Sequence, residues 1–245
     1  MSSPSVQKQQ PQPLRSAVLE GRLQLAVDCP APLQKLLSTA GVDVGMEGDN
    51  FCCSSTCEYV CRDRQGRLLY RGDMEYIRKC LETEPDVDVD FMDADTDQCA
   101  IRISRRYRSA TVEAPRGSLV GRIKSVDDVH SITKIDRQLL VLDADGQPVF
   151  RLVGTGATED MDDCCGGAGM GDLSYSIRPS APCRPPVSEL GKLVVKEPPV
   201  ACGNVPPGGS VTYPSDLQVK MKGALVGALM HAVSLRLQFH FRNQR

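Results

Sequence analysis

Three aspartates at alternate positions, Asp93, Asp95 and Asp97, have the D-x-D-x-D spacing by which a loop turns several carboxylate oxygens onto one calcium ion. The sixth position of that loop is Gln98 where a sharp turn calls for Gly, and the twelfth is Ser104 where a bidentate Glu is needed, so it is a poor calcium site. The wider stretch from Glu82 to Asp97 holds eight acids and no base, and Arg102, Arg105, Arg106 and Arg108 follow it, which predicts an exposed acidic loop beside a basic strand. Cys52, Cys53, Cys57 and Cys61 have metal-ligand chemistry, but they fall within ten residues and lack the separated pairs of a zinc knuckle. The adjacent pairs Cys52-Cys53 and Cys164-Cys165 suit palmitoylation, because two acyl chains suffice for stable anchoring, and they suit unmodified loop thiols equally.

Catalytic chemistry finds no foothold. The three histidines, His130, His231 and His240, have no nucleophile or acid beside them in a recognisable spacing, and the glycines after Cys164-Cys165 are followed by neither Lys nor a helix opening, as a phosphate-binding loop requires. His231 lies in an apolar run and reads as a core residue. Charge is more informative: after Asp216 the chain carries Lys220, Lys222, Arg236, Arg242 and Arg245 with no acid, a local excess of five in a protein of net charge −2. Each such charge near an anionic leaflet contributes about 1 kcal/mol, so the C-terminal region predicts attraction to a membrane surface.

The elements that must position these groups come from a chain of 245 residues in which 41% are apolar, 24% charged and only 4% aromatic, with 21 Gly and 17 Pro. That composition is globular, rich in turns and close to charge balance, and it excludes nucleic-acid binding through a global positive charge. Met-Ser-Ser-Pro begins a stretch with no secretory signal pattern, which predicts a cytosolic protein with reduced thiols. Residues 1–16, Pro/Gln/Ser-rich and without an acid, predict a disordered tail, and residues 17–245 a single folded domain.

Within that domain Val18 to Val27 suggests a first strand, and Leu33, Leu36 and Leu37 a short helical turn ending near Gly41. Two hairpins are clearly written: Cys57 to Cys61, Asp63-Arg64-Gln65-Gly66 and Arg67 to Arg71, then Leu139 to Leu142, Asp143-Ala144-Asp145-Gly146 and Gln147 to Val153. Further strands are predicted at Ala100 to Tyr107, Ala110 to Glu113, Leu119 to Lys124, Ser131 to Ile135, Leu173 to Ile177 and Leu190 to Lys196. Many short strands at near-regular spacing predict a mainly β, closed or sandwiched antiparallel fold.

One helix stands out. Ser215 and Gln218 have capping-box spacing, and from Gly223 to Val233 apolar residues occupy every helical face, so a helix over about 216–234 must be buried all round. The apolar stretch Gly223 to Leu235, thirteen residues interrupted by His231, reaches only about 20 Å at about 1.5 Å each and falls short of the roughly 30 Å of a bilayer core, which places the helix inside protein, best inside a barrel. Leu235, Leu237, Phe239 and Phe241 then alternate with polar residues and predict a final strand.

The run Ser215-Asp216-Leu217-Gln218-Val219-Lys220-Met221-Lys222-Gly223-Ala224-Leu225-Val226-Gly227-Ala228 resembles the D-L-x-V-K-M-K signature that opens the C-terminal helix of the phospholipid scramblase family, within the tubby-like barrels. Weaker matches follow in order upstream: Glu58-Tyr59-Val60 through Gly66 to Leu69-Tyr70, Ala114-Pro115-Arg116-Gly117 through Gly121-Arg122-Ile123, Leu142 to Gly154, and Cys164-Cys165-Gly166 before Leu173 to Ile177, so that the resemblance covers about residues 50–241. It implies a closed antiparallel barrel of about twelve strands around the C-terminal helix. It implies a protein at the cytosolic face of a membrane, the plasma membrane above all, moving phospholipids between leaflets without ATP or covalent chemistry; the alternative is a tubby-like module that binds phosphoinositides, other anionic lipids or proteins and moves nothing. By analogy with basic patches on such barrels, Lys220, Lys222 and Arg236 become the candidate lipid-binding residues. Calcium is the family's activator, yet the acidic segment expected before the signature is replaced here by Asn204 to Pro214, without a carboxylate, which argues against calcium at that place.

Overall fold

The computed structural model describes residues 29–46, 56–77, 86–126, 138–154, 171–180, 189–196 and 208–243. They form a short 3-10 helix, η1 (Ala31–Leu36), twelve strands and one α-helix. The strands are β1 (Gly41–Met46), β2 (Thr56–Asp63), β3 (Leu68–Ile77), β4 (Asp86–Asp93), β5 (Cys99–Arg106), β6 (Ser109–Glu113), β7 (Leu119–Ser125), β8 (Gln138–Asp143), β9 (Pro148–Gly154), β10 (Leu173–Pro179), β11 (Gly191–Val195) and β12 (Gly209–Thr212), and the helix is α1 (Val219–Asn243). Each strand pairs antiparallel with its neighbour in sequence, and β1 pairs with β12 from Gly41↔Thr212 to Val44↔Gly209, so the sheet closes on itself and leaves no edge.

Both predicted hairpins form, as β2–β3 and β8–β9, and β5, β6, β7, β10 and β11 fall where alternation placed them. The helical turn near Leu33 is η1. The strands expected at Val18 to Val27 and Ser131 to Ile135 lie outside the described residues, as do residues 1–16. One device recurs at three hairpin turns: Asp63 Oδ1 accepts the amides of Gln65 and Arg67, Asp143 Oδ1 that of Gln147, and Asp93 Oδ1 those of Asp95 and Thr96. A short carboxylate accepting amides two to four residues on is what makes Asp a turn residue.

Helix α1 lies within the ring. It packs on β5 and β6 and also on β11 and β12, strands that stand six apart in a ring of twelve and therefore on opposite walls. Every residue from Lys222 to Ser234 is buried, as the all-round apolar pattern required. At Gly227 a side chain would run into Val112 of β6, so glycine sets how closely the helix approaches that wall.

Three expectations are corrected. The acidic segment is not a loop: residues 86–93 are strand β4, with Val87, Val89 and Phe91 buried between Asp86, Asp88, Asp90 and Met92. Outside the barrel its charges find partners on β5, Arg106 reaching Asp88 at 2.7 Å and Asp86 at 3.5 Å, and Arg102 reaching Asp90 at 3.7 Å. Second, Ser215 is not the helix cap. Residues 215–217 form a turn in which the Leu217 amide donates to Pro214 O, and the first helical bond runs from Lys222 N to Gln218 O, which puts Gln218 at the cap. Third, the alternation after Ser234 does not make a strand; α1 continues to Asn243. The β1–β12 pairing has already closed the sheet, so a thirteenth strand has no edge to join, and with no Gly or Pro after Gly227 the helix propagates.

Candidate functional site

Two of the three basic residues assigned to lipid sit inside the protein. Lys222 is completely buried, and its Nζ donates to four main-chain oxygens, Leu36 at 2.9 Å, Leu37 at 2.8 Å, Thr39 at 2.9 Å and Ser215 at 2.8 Å, with the Tyr213 ring centroid 5.6 Å away. Burial draws its pKa down to about 8, opposed by Asp216 and Cys29, so near neutral pH an ammonium fills this carbonyl cage. It ties η1 and the loop after it to the start of α1. Arg236 is also buried, its Nη2 donating to Gly171 O at 2.8 Å. Lys220 alone of the three is exposed. The local charge excess was real, but helical periodicity turned Lys222 toward the inside.

The three aspartates do not converge on a cation. Asp93 is buried and holds its own turn, and Lys35 of η1 reaches it at 3.0 Å and Asp95 at 2.8 Å, occupying the place a cation would take. Burial works to raise the Asp93 pKa, but the amides of Asp95 and Thr96 and the Lys35 ammonium outweigh it and hold the carboxyl below its ordinary value. Asp97 contributes its amide to Asp93 O and has φ 54°. No group of three metal-ligating side chains occurs among the described residues. Of the cysteines weighed for zinc, Cys61 is buried in β2, where burial pushes its thiol well above the usual range; the pairs weighed for palmitoylation, Cys52-Cys53 and Cys164-Cys165, lie outside the described residues.

The barrel interior holds a group the sequence flagged only as core. His231 is completely buried, its pKa pushed down to about 3 by burial and then by Arg105 of β5, and neither ring nitrogen has a hydrogen-bond partner among the described residues. Because the folded value lies below the ordinary 6.5, the unfolded chain takes up a proton first, and stability from this site is lost as the pH falls below about 6.5 toward 3. Replacing His231 by leucine is expected to raise stability at pH 7 by about 1–3 kcal/mol and to flatten the difference between pH 6.5 and 4, measured by urea unfolding at each pH. A variant with unchanged acid sensitivity rules this account out.

On the outside the strand registers assemble an arrangement that no single segment displays. Lys124 of β7 lies opposite Leu140 of β8, Leu140 opposite Arg151 of β9, and Arg151 directly opposite Arg178 of β10, with Lys192 of β11 opposite Ser176 two residues away. Lys124, Arg151, Arg178 and Lys192 are exposed, and Asp143 is the one acid in the described strands β7–β11. Directly opposed residues bring their Cβ atoms to about 4.5–5.5 Å, where two like charges repel. Across the ring the reverse holds: Glu58 of β2 faces Asp73 of β3, which faces Asp90 of β4. The barrel thus has a basic wall centred on β9 and an acidic wall centred on β3, six strands apart. Counting charges by predicted strand would have exposed the asymmetry, but the row itself needs the register.

Among solved structures, the chain is similar to a protein of Arabidopsis thaliana known by X-ray, with 12% identity and a TM-score of 0.40 over 80% of this chain and 93% of that one. No family model and no curated protein matches the chain.

Proposed function

We propose that this protein is a barrel module that docks on anionic phospholipid at the cytosolic face of a membrane through the basic outer wall of β7–β11. The observation that carries this reading is Arg151 set directly opposite Arg178, flanked by Lys124 and Lys192, where like charges raise the cost of the fold and an anionic surface relieves it. A helix enclosed by the ring needs no lipid, and among the described residues no helix is long and apolar enough to cross a membrane. Flotation with vesicles of phosphatidylcholine, with and without phosphatidylserine, tests the reading. Binding is expected only with the anionic lipid and is expected to weaken with salt. The double variant R151Q/R178Q, at about 1 kcal/mol per charge, should bind about 30-fold less tightly. Equal binding to neutral vesicles sinks the proposal.

Movement of phospholipid between leaflets is the second reading, favoured by the likeness of Ser215 to Ala228 to the scramblase signature. In proteoliposomes with labelled lipid, quenching by an impermeant reagent beyond the outer-leaflet half supports it, with calcium present or absent deciding whether the ion takes part. Arrest at that half leaves docking as the activity. Acylation at Cys52-Cys53 or Cys164-Cys165 would strengthen either mode of attachment.

A further inference from the structure

At the end of the barrel where α1 begins, a cleft of about 300 Å³ opens between the loop Ser38–Gly41 and the β2–β3 turn. Both walls are fixed. Thr39 is buried, its carbonyl takes the Lys222 ammonium at 2.9 Å, and its Oγ1 donates to Leu36 O at 2.9 Å and lies 3.0 Å from the Tyr213 hydroxyl. On the other wall Asp63 accepts the Gln65 amide at 3.0 Å and the Arg67 amide at 2.9 Å with one oxygen, and the Arg67 Nε at 3.0 Å with the other.

Those bonds decide the chemistry of the cleft. The one carboxylate in its lining, Asp63, is 3% exposed and spends its oxygens within the turn, whereas the Arg67 side chain is 67% exposed and meets Asp63 through Nε, which leaves its terminal nitrogens without a partner among the described residues. Arg64, Gln65 and Ser38 are exposed beside it and add a guanidinium, an amide and a hydroxyl. Donors therefore prevail on preset walls, in a volume at the small end of ligand sites. Guanidinium pairs suit the oxygens of a phosphate group better than any neutral ligand.

We infer that this cleft binds a single phosphomonoester group, with Arg64 and Arg67 on its oxygens and Ser38 and Gln65 orienting it. The phosphate comes either from a soluble metabolite or from a lipid headgroup that ends in phosphate. The site is separate from the β7–β11 wall and does not depend on docking there.

The test is titration of the full-length chain with inorganic phosphate at constant ionic strength, followed by the amide resonances of Ser38, Ala40, Arg64 and Gln65. Saturable shifts confined to these amides are expected, with affinity about tenfold lower in Arg64→Gln and partly restored in Arg64→Lys. Arg64 is exposed, so the fold is not at stake. R151Q/R178Q should keep the full response, which separates this site from the docking wall. Glycerol 3-phosphate and vesicles of phosphatidic acid then identify the source: displacement of phosphate by the first alone marks a soluble ligand, and displacement by the second marks a headgroup. Shifts reproduced by sodium chloride, or unchanged in Arg64→Gln, overturn the inference.

Discussion

Replacing Lys222 by methionine is expected to lower stability by about 3–5 kcal/mol, seen as a fall in the urea midpoint at nearly constant slope. Methionine keeps most of the length and the apolar stem but removes every donor from four carbonyl oxygens, of which those of Leu36 and Thr39 are buried and those of Leu37 and Ser215 partly so. The two buried oxygens then pay their desolvation cost unmet, and the tie between α1 and η1 is cut. Arginine should rescue little, because a planar fork does not fit oxygens gathered around a point charge. Lys220→Met, two residues away on the opposite, exposed face of the helix, serves as the control and should change stability by less than about 0.5 kcal/mol. If Lys222→Met unfolds no more readily than that control, the cage is not what holds this end of the barrel.

Phe91→Ala is expected to cost a similar amount, about 3–5 kcal/mol, from a segment that reads as solvent-exposed. Phe91 is completely buried, and its ring lies over Gly72 on the paired strand, so close that a Cβ added there would fall 2.6 Å from it. Glycine leaves the seat and the ring fills it, so neither can be changed alone without a void or a clash. Asp90→Asn, on the outer face of the same strand, removes one charge from the acidic row and should be neutral or slightly stabilising. Thermal unfolding of the pair distinguishes a core strand from a loop: a loop would tolerate both changes.

These two sites also mark where the sequence was and was not legible. The hairpins β2–β3 and β8–β9 could be read because an Asp-x-x-Gly turn separates two apolar runs, and the enclosed helix because apolar residues covered all its faces. Strand β4 escaped because the eye follows charge: Asp86, Asp88 and Asp90 dominate the composition, although Val87, Val89 and Phe91 supply the period of two. The D-x-D-x-D spacing suggested calcium, but the first Asp serves the turn, and the same service by Asp63 and Asp143 shows that two meanings share one motif. Strands β1 and β12 are short and carry glycines at Gly41, Gly45 and Gly209, which erases their pattern, while the basic wall lies in residues brought together only by pairing. Lys222 illustrates the remaining limit. A sequence shows that a lysine is present, and only packing shows whether its ammonium meets water or four carbonyls.

The closure of β1 on β12 has a consequence for how the protein is made. Every other pairing joins strands adjacent in the chain, so a growing polypeptide can add them one after another as a meander. The seam alone joins residues 41–44 to residues 209–212, and the helix that fills the ring follows the last of these strands. Until both have left the ribosome, the sheet is an open ribbon with two bare edges and an uncovered apolar face. Synthesis at roughly 5–20 residues per second keeps it in that state for about ten to forty seconds after β1 appears. That interval is when this barrel is most exposed to edge-to-edge aggregation, and a chaperone that shields sheet edges would matter most then.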